Sequence, residues 1–176
     1  MSCEYIPIEL TSGHGKQNQA ATMHPMRARV AASHHGDNRT EGLPELQKHF
    51  ERQSAEERVH ALKFVKFLVD AGGRVEIPAI PAPRSDFKTA EEAVALSLAW
   101  EETVTRQIYG LVDAAKADNN YIAIRFLDWF VTEQLEEVSS MAQLLSIVQR
   151  AGDDNLLFVE NYLVRRTPEA GAPDAD

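Results

Sequence analysis

The stretch Glu56-Glu57-Arg58-Val59-His60 decides the fold, because it lies in the middle of a long amphipathic pattern and places two polar side chains on its apolar side. From Phe50 onward, steps of three and four residues keep one face of a helix toward a partner. That inward row comprises Phe50, Gln53, Glu57, His60, Phe64, Phe67 and Ala71. Burying an unpaired carboxylate is costly, so the position of Glu57 predicts a positive partner, and a metal ion is the leading candidate.

The composition is that of one globular domain with an excess of acidic residues. The chain has 176 residues, of which 26% are charged, and a formal net charge of −9. Binding of nucleic-acid phosphates requires clustered lysine and arginine, so a negative net charge argues against nucleic acid as the main partner. An acidic protein is better suited to binding cations. The single cysteine, Cys3, cannot form an internal disulfide, and no apolar run approaches the ~20 residues of a membrane span. Because a signal-peptide pattern is also missing, we predict a cytoplasmic protein without a membrane partner.

Residues 1–42 differ in character from the rest of the chain. They contain four of the six histidines and no phenylalanine or tryptophan, and they carry a net charge of +1, so that the remainder carries −10. We predict a mostly disordered arm over residues 1–42, with one short helix over 26–33 that Pro25 could begin. The arm histidines could gather a metal, but scattered, solvated histidines are the favoured interpretation. A helical domain over 43–166 and a disordered tail over 167–176 complete the prediction.

The domain is predicted to be all-α, with three long helices and one short helix. The long helices cover residues 43–72, 89–117 and 121–151, and a shorter one covers 155–166. The segment 74–88 contains three prolines and is expected to be extended, so that at ~3.3 Å per residue it can span the ~45 Å of a 30-residue helix. The first two helices can therefore run parallel. The short turn at residues 118–120 makes the third helix antiparallel to them.

Carboxylates also interrupt the apolar rows of the other two long helices. The second row is Val94, Leu98, Glu101, Thr105, Ile108 and Val112, and the third is Phe126, Phe130, Glu133, Glu137, Met141, Leu144 and Val148. Counting from the helix ends places Glu57, Glu101 and Glu137 at one height. The prediction is that acidic side chains of three helices converge at a single level of the bundle.

The residues at that level are mainly oxygen donors with one imidazole. They are Glu57, His60, Glu101, Gln134 and Glu137, with Glu56, Glu133 and Glu136 beside them. Such donors suit iron in either oxidation state and disfavour a closed structural zinc site. A carboxylate that bridges two ions, with Glu57 as the central candidate, would present a pair of irons to dioxygen. This is the donor set of a di-iron oxidase.

Each signal is weak by itself. A Glu-x-x-His pair is more often a satisfied core histidine, Glu101 alone could be an interface residue, and the glutamates at 133, 136 and 137 could be a solvated acidic face. The coincidence of carboxylates on three apolar rows, without lysine or arginine on those rows, favours a metal. The aromatic residues near this level are interpreted as core, and Tyr109 is a weak candidate for electron donation.

The sequence resembles the haem-free bacterial ferritins, and among them the actinobacterial storage ferritins, over residues 42–166. The similarity lies in five stretches, at residues 43–50, 56–60, 74–78, 101–105 and 133–138. The resemblance implies a ferritin-like bundle with a ferroxidase centre: Glu57 and His60 at the first iron, and Glu57, Glu101 and either Gln134 or Glu137 at the second. It also implies a third iron site at Glu56, Glu133, Glu136 and Glu137. The family oxidises Fe(II) with oxygen or peroxide and stores ferric mineral inside a homo-oligomeric shell of 24 subunits.

The chain departs from related patterns at three places. Ser140 stands where bacterioferritins have the histidine of a second Glu-x-x-His, and Arg58 stands where they have the haem-ligating methionine, so no haem is expected. Residues 1–41 do not match the first helix of ferritins, and an ungapped count places its iron-binding glutamate near His24. Ferroxidase activity would be impaired without that ligand.

Three explanations of the missing helix stay open: the arm replaces it, another chain fills the gap, or the reading frame upstream of Gly42 is wrong. The alternative function is a truncated, non-catalytic subunit that only binds iron or co-assembles with a complete ferritin. A nucleic-acid-binding shell protein of the starvation type is disfavoured, because such proteins build the iron site between subunits.

Overall fold

Four α-helices make up the part of the chain that the structure describes in full. The computed structural model describes residues 42–75 and 87–166, together with the backbone of residues 6–9 and 20–23. The helices are α1 (Pro44–Asp70), α2 (Ala90–Ala117), α3 (Tyr121–Ala151) and α4 (Leu157–Arg166), with a 3-10 turn at Asp153–Asn155 before α4. The all-α prediction is confirmed. None of the helices described is both long and apolar enough to cross a bilayer.

The helix ends follow local sequence signals. Thr89 accepts a hydrogen bond from the backbone N–H of Glu92 at 3.1 Å, and the Glu92 carboxylate accepts one from the N–H of Lys88 at 2.9 Å. Asn120 caps α3 by accepting the N–H of Ala123 at 3.1 Å. Gly152, with φ of 63°, ends α3 in a backbone conformation that residues with a side chain rarely adopt. The N-terminal caps fix where α2 and α3 start, and therefore the level in the bundle at which each acidic residue lies.

Two short strands lie in the predicted arm. Strand β1 (Ile6–Glu9) pairs antiparallel with β2 (Ala20–Met23), so that Ile6 is opposite Met23. The backbone of β1 runs near α1, and that of β2 runs near α2. The remainder of the predicted arm, including the helix expected at 26–33, lies outside the described residues, as do the tail at 167–176 and residues 76–86 of the predicted crossing segment.

The interior consists of two apolar clusters. The lower cluster contains Phe64, Leu68, Val104, Ile108, Leu111, Ala115, Ala123, Leu127 and Phe130. The upper cluster contains Leu46, Phe50, Phe87, Ala90, Ala93, Val94, Met141, Leu144, Val148, Val159 and Leu163. The lower cluster joins the C-terminal halves of α1 and α2 to the N-terminal half of α3. Helices α1 and α2 therefore run parallel, with α3 antiparallel to both, as the loop lengths predicted.

Some positions on the predicted inward rows were wrong by one residue. On α1, Leu68 is buried, whereas Phe67 is half-buried and Ala71 is exposed. On α2 the buried positions are 97, 104 and 111, not 98, 105 and 112. On α3, Leu127 and Gln134 are buried, whereas Phe126 and Glu133 are half-buried. Steps of three and four fit both alternatives, so the neighbouring helices on each side decide which residue faces the core.

Candidate metal centre

A layer of buried polar side chains separates the two apolar clusters. The polar layer comprises Gln53, Glu57 and His60 of α1, Ser97 and Glu101 of α2, and Gln134 and Glu137 of α3. The exposed fractions of Glu57, Glu101 and Glu137 are 7%, 2% and 7%. The buried residues of these three helices include no lysine or arginine. Because buried carboxylates need a positive partner, the layer has the chemistry of a cation site.

His60 lies between carboxylates of two helices. Its Nδ1 is 3.9 Å from Glu57 Oε2, and its Nε2 is 3.6 Å from Glu133 Oε1. Its ring also meets two aromatic rings edge-on, with centroids 5.3 Å from that of Trp129 and 6.1 Å from that of Phe130. A histidine that lies between two carboxylates and two aromatic rings is placed where it could act as a nitrogen ligand.

A second group links α2 to α3 through hydrogen bonds. The Nε2 atom of Gln134 lies within hydrogen-bonding distance of the Glu101 carbonyl oxygen at 3.1 Å, Glu101 Oε2 at 3.3 Å and Thr105 Oγ1 at 3.0 Å. Thr105 in turn donates its hydroxyl hydrogen to the same carbonyl oxygen at 2.8 Å. The backbone and carboxylate of Glu101 are thus held by a side chain from the facing helix.

The other predicted acidic ligands form a rim outside this layer. Glu56 and Glu136 are exposed, Glu133 is half-buried, and Gln53 Nε2 donates to Glu56 Oε2 at 2.5 Å. Burial raises the pKa of Glu133, and the charges of Glu137, Glu136 and Glu56 raise it further, whereas Lys63 lowers it. Burial is the larger cause of this pKa shift, and the neighbouring carboxylates add to it by repulsion between like charges.

The potential metal ligands lie at one level of the bundle, but their side chains do not converge on a single point. Within residues 42–75 and 87–166, no three histidine, cysteine, aspartate or glutamate side chains stand close enough together to form a ready-made metal site. Close contacts among these residues include those of His60 with Glu57 and Glu133, and of Glu101 with Gln134. Like charges repel, so a cation is needed to draw such carboxylates together. The donor types, oxygen with one imidazole nitrogen, nevertheless fit iron.

Sequence reasoning missed two neighbours of the site. Lys63 extends over the face of Trp129, with Nζ 3.1 Å from the ring centroid, one turn from His60. Thr105 was assigned only to an apolar row, although it bonds both Glu101 and Gln134. The i,i+4 spacing of Glu101 and Thr105 is a usable signal, because a threonine hydroxyl commonly bonds the carbonyl four residues before it.

Comparison with known proteins gives a consistent set of similarities. A family description, the ferritin-like domain, matches residues 30–151. The chain is 42% identical over 130 residues to ferritin BfrB of Mycolicibacterium smegmatis, covering 74% of this chain and 71% of that protein. It is 39% identical over 118 residues to the bacterial non-heme ferritin of Staphylococcus haemolyticus, covering 66% and 71%.

A solved structure with a similar fold is the open-pore ferritin from the archaeon Archaeoglobus fulgidus. It superposes with a TM-score of 0.73 at 28% identity, covering 82% of this chain and 90% of that one. The polar layer and the surrounding helices therefore occur in a fold shared with ferritins.

Proposed function

This chain belongs to the ferritin-like domain family, and we propose on that premise that it oxidises Fe(II) at a two-iron centre and stores the ferric product. The family membership supports iron storage as the general function. The observation that carries the ferroxidase proposal is the burial of Glu57, Glu101 and Glu137 in the layer between the two apolar clusters, without lysine or arginine among the buried residues of the three helices.

Each ligand has a separate task in the proposal. Glu57 and His60 bind the first Fe(II), and Glu57 also bridges to the second, which Glu101 binds from α2. The second site needs one more donor from α3, either Glu137 or Gln134. The resemblance adds a third iron at the rim, bound by Glu56, Glu133, Glu136 and Glu137. No haem is included, because Arg58 follows Glu57 at the position where bacterioferritins carry methionine.

The redox step balances with oxygen or peroxide as the co-reactant. Two Fe(II) ions each lose one electron, and one dioxygen accepts both electrons and two protons to give hydrogen peroxide. With peroxide as oxidant, the two electrons and two protons give two waters. The carboxylates contribute by binding Fe(III) more tightly than Fe(II), which favours electron loss. The rings of Trp129 and Phe130 keep His60 oriented and limit the access of water to it.

The stored iron requires an oligomeric shell, and the outer face of α1 supports assembly. Val59, Leu62 and Val69 recur on one side of the helix, and each is at least half exposed. Large exposed apolar side chains aligned on one helix face are typical of a protein interface. We propose a homo-oligomer, with 24 subunits as the family implies, in the cytoplasm that the sequence predicts.

Aerobic Fe(II) oxidation by the purified iron-free protein, followed by the absorbance of the ferric product, tests the proposal. A Glu57→Ala, His60→Ala variant should lose the fast phase, and Glu101→Ala should slow it. Glu102→Ala is the matched control, because Glu102 is exposed beside Glu101 on the same helix. Equal rates for the wild type and the Glu57→Ala, His60→Ala variant would refute ferroxidase activity.

A second candidate is a truncated, non-catalytic subunit that binds iron or co-assembles with a complete ferritin. The observation that favours it is in the arm, where the described segments are strands β1 and β2 and do not supply a helical glutamate ligand. The mass of the purified chain in solution distinguishes the two candidates. A shell-sized particle supports storage, whereas a small species that enters shells only when mixed with a complete ferritin supports the second.

A further inference from the structure

Thr105 joins the two helices beside the proposed second iron position. It lies one turn after Glu101 on α2, and its hydroxyl donates to the Glu101 carbonyl oxygen at 2.8 Å. A hydroxyl has one hydrogen, so this bond leaves Thr105 with only lone pairs to offer to α3. The Thr105 oxygen is therefore an acceptor where Gln134 approaches it at 3.0 Å.

The three atoms around the Gln134 amide fix which end of the amide faces α2. They are the Glu101 carbonyl oxygen, Glu101 Oε2 and Thr105 Oγ1, three acceptor oxygens that share the two hydrogens of the amide. The amide nitrogen must face them, because a flipped amide would place its oxygen against three acceptor oxygens. An amide NH₂ group carries positive hydrogens and offers no lone pair to a cation. The end of Gln134 that meets Glu101 is thus a donor and not a metal ligand.

We propose that Thr105 is a positioning residue that holds the amide nitrogen of Gln134 as a hydrogen-bond donor toward the Glu101 carboxylate. The inference rests on the proposed two-iron centre and concerns the orientation of its Glu101 ligand. Gln134 acts on iron through Glu101, and Thr105 acts through Gln134. Support of a ligating carboxylate by a hydrogen-bond donor is a common way to fix ligand orientation.

The test uses metal binding to the iron-free protein, so it does not depend on turnover. Co(II) is titrated under anaerobic conditions, and calorimetry together with the visible absorption of bound Co(II) resolves the successive equivalents. Thr105→Val preserves shape and removes the acceptor, so it should weaken the second equivalent roughly three- to tenfold, as loss of a hydrogen bond predicts, and leave the first unchanged. Thr105→Ser should restore wild-type affinity.

Thr103→Val is the matched control on the same helix. Thr103 makes the same type of bond to the carbonyl four residues earlier, to Ala99 at 2.8 Å, but contacts Arg106 and not Gln134. It should bind both equivalents as the wild type does. A general loss of helix stability would affect both equivalents and both threonine variants alike, whereas the inference requires a selective effect of Thr105.

A further variant tests the role of Gln134. Gln134→Leu removes the hydrogen-bond donor to Glu101 and should weaken the second equivalent at least as much as Thr105→Val does. Wild-type binding of the second equivalent by Gln134→Leu or by Thr105→Val overturns the inference while leaving the two-iron proposal standing. If the wild-type protein binds no Co(II), the two-iron proposal fails and this inference fails with it.

Discussion

The start of α1 is capped by a residue 115 positions away, and this predicts a large effect of a single substitution. Glu160 of α4 is buried, and its Oε2 and Oε1 accept the backbone N–H groups of Glu45 at 2.8 Å and Leu46 at 3.0 Å. The residue before the helix, Leu43, provides no side-chain cap. The first N–H groups of a helix have no partner within the helix, so Glu160 satisfies two of them from outside.

The expected cost of removing this carboxylate follows from the two bonds and the helix dipole. Hydrogen bonds to a charged group contribute about 1.5–3 kcal/mol each, and loss of a helix cap costs about 0.5–2 kcal/mol. Because water can partly replace the bonds at a helix end, we expect Glu160→Ala to lower the free energy of unfolding by about 2–4 kcal/mol. Glu160→Gln keeps one acceptor oxygen and should lose about half of that.

Guanidinium unfolding of the iron-free protein, followed by circular dichroism at fixed protomer concentration, measures both variants. Asn161→Ala is the control, because Asn161 is the exposed neighbour on the same helix. Amide hydrogen exchange gives a second readout, since the N–H groups of Glu45 and Leu46 should exchange faster in Glu160→Ala. If this variant stays within about 0.5 kcal/mol of the wild type, the limit for an ordinary surface change, the cap does not stabilise the fold.

Three further changes test the surroundings of the centre. Glu133→Gln should stabilise the iron-free protein at neutral pH, because the raised pKa of Glu133 makes its ionised form unfavourable in the fold. The gain should vanish below the ordinary pKa of 4.5, where the wild-type carboxyl is also neutral, and a gain that does not vary with pH in urea titrations would contradict this. Phe130→Ala should cost about 3–5 kcal/mol in denaturant unfolding, because its buried ring packs 4.2 Å from that of Phe64, and a cost below 1 kcal/mol would count against this packing. Lys63→Met should lower the free energy of unfolding by about 0.5–1 kcal/mol, because it removes the cation–π contact with Trp129. A double-mutant cycle with Trp129→Leu measures the coupling between the two side chains, and an absence of coupling would contradict this.

Much of the fold was predictable because helix geometry leaves few choices. The spacing of apolar residues, the cap at Thr89 and the turn at 118–120 fixed the number, direction and ends of the long helices. The same counts placed Glu57, Glu101 and Glu137 at one height, and the structure buries all three in the polar layer. Their shared role in binding iron stays a prediction.

The features that were missed depend on contacts between distant parts of the chain. Whether Glu133 or Gln134 of α3 faces the interior of the bundle depends on how α1 and α2 pack against α3. The helical pattern in the sequence allows either. Nothing in the sequence singles out Glu160, because its partners are backbone groups that carry no sequence signal. The strands β1 and β2 were missed because short segments of mixed residues have no recognisable period.

The interruption of the core by charged groups has a consequence for engineering. Residues more than about 7–10 Å apart with no shared partners usually contribute independently to stability. Stabilising substitutions deep in the lower cluster, for example at Leu111, can therefore be combined with others in the upper cluster, for example at Val159. Neither set should disturb the polar layer between the two clusters. A fold divided in this way has two apolar regions in which stability can be changed, and between them a polar region whose residues can be changed separately.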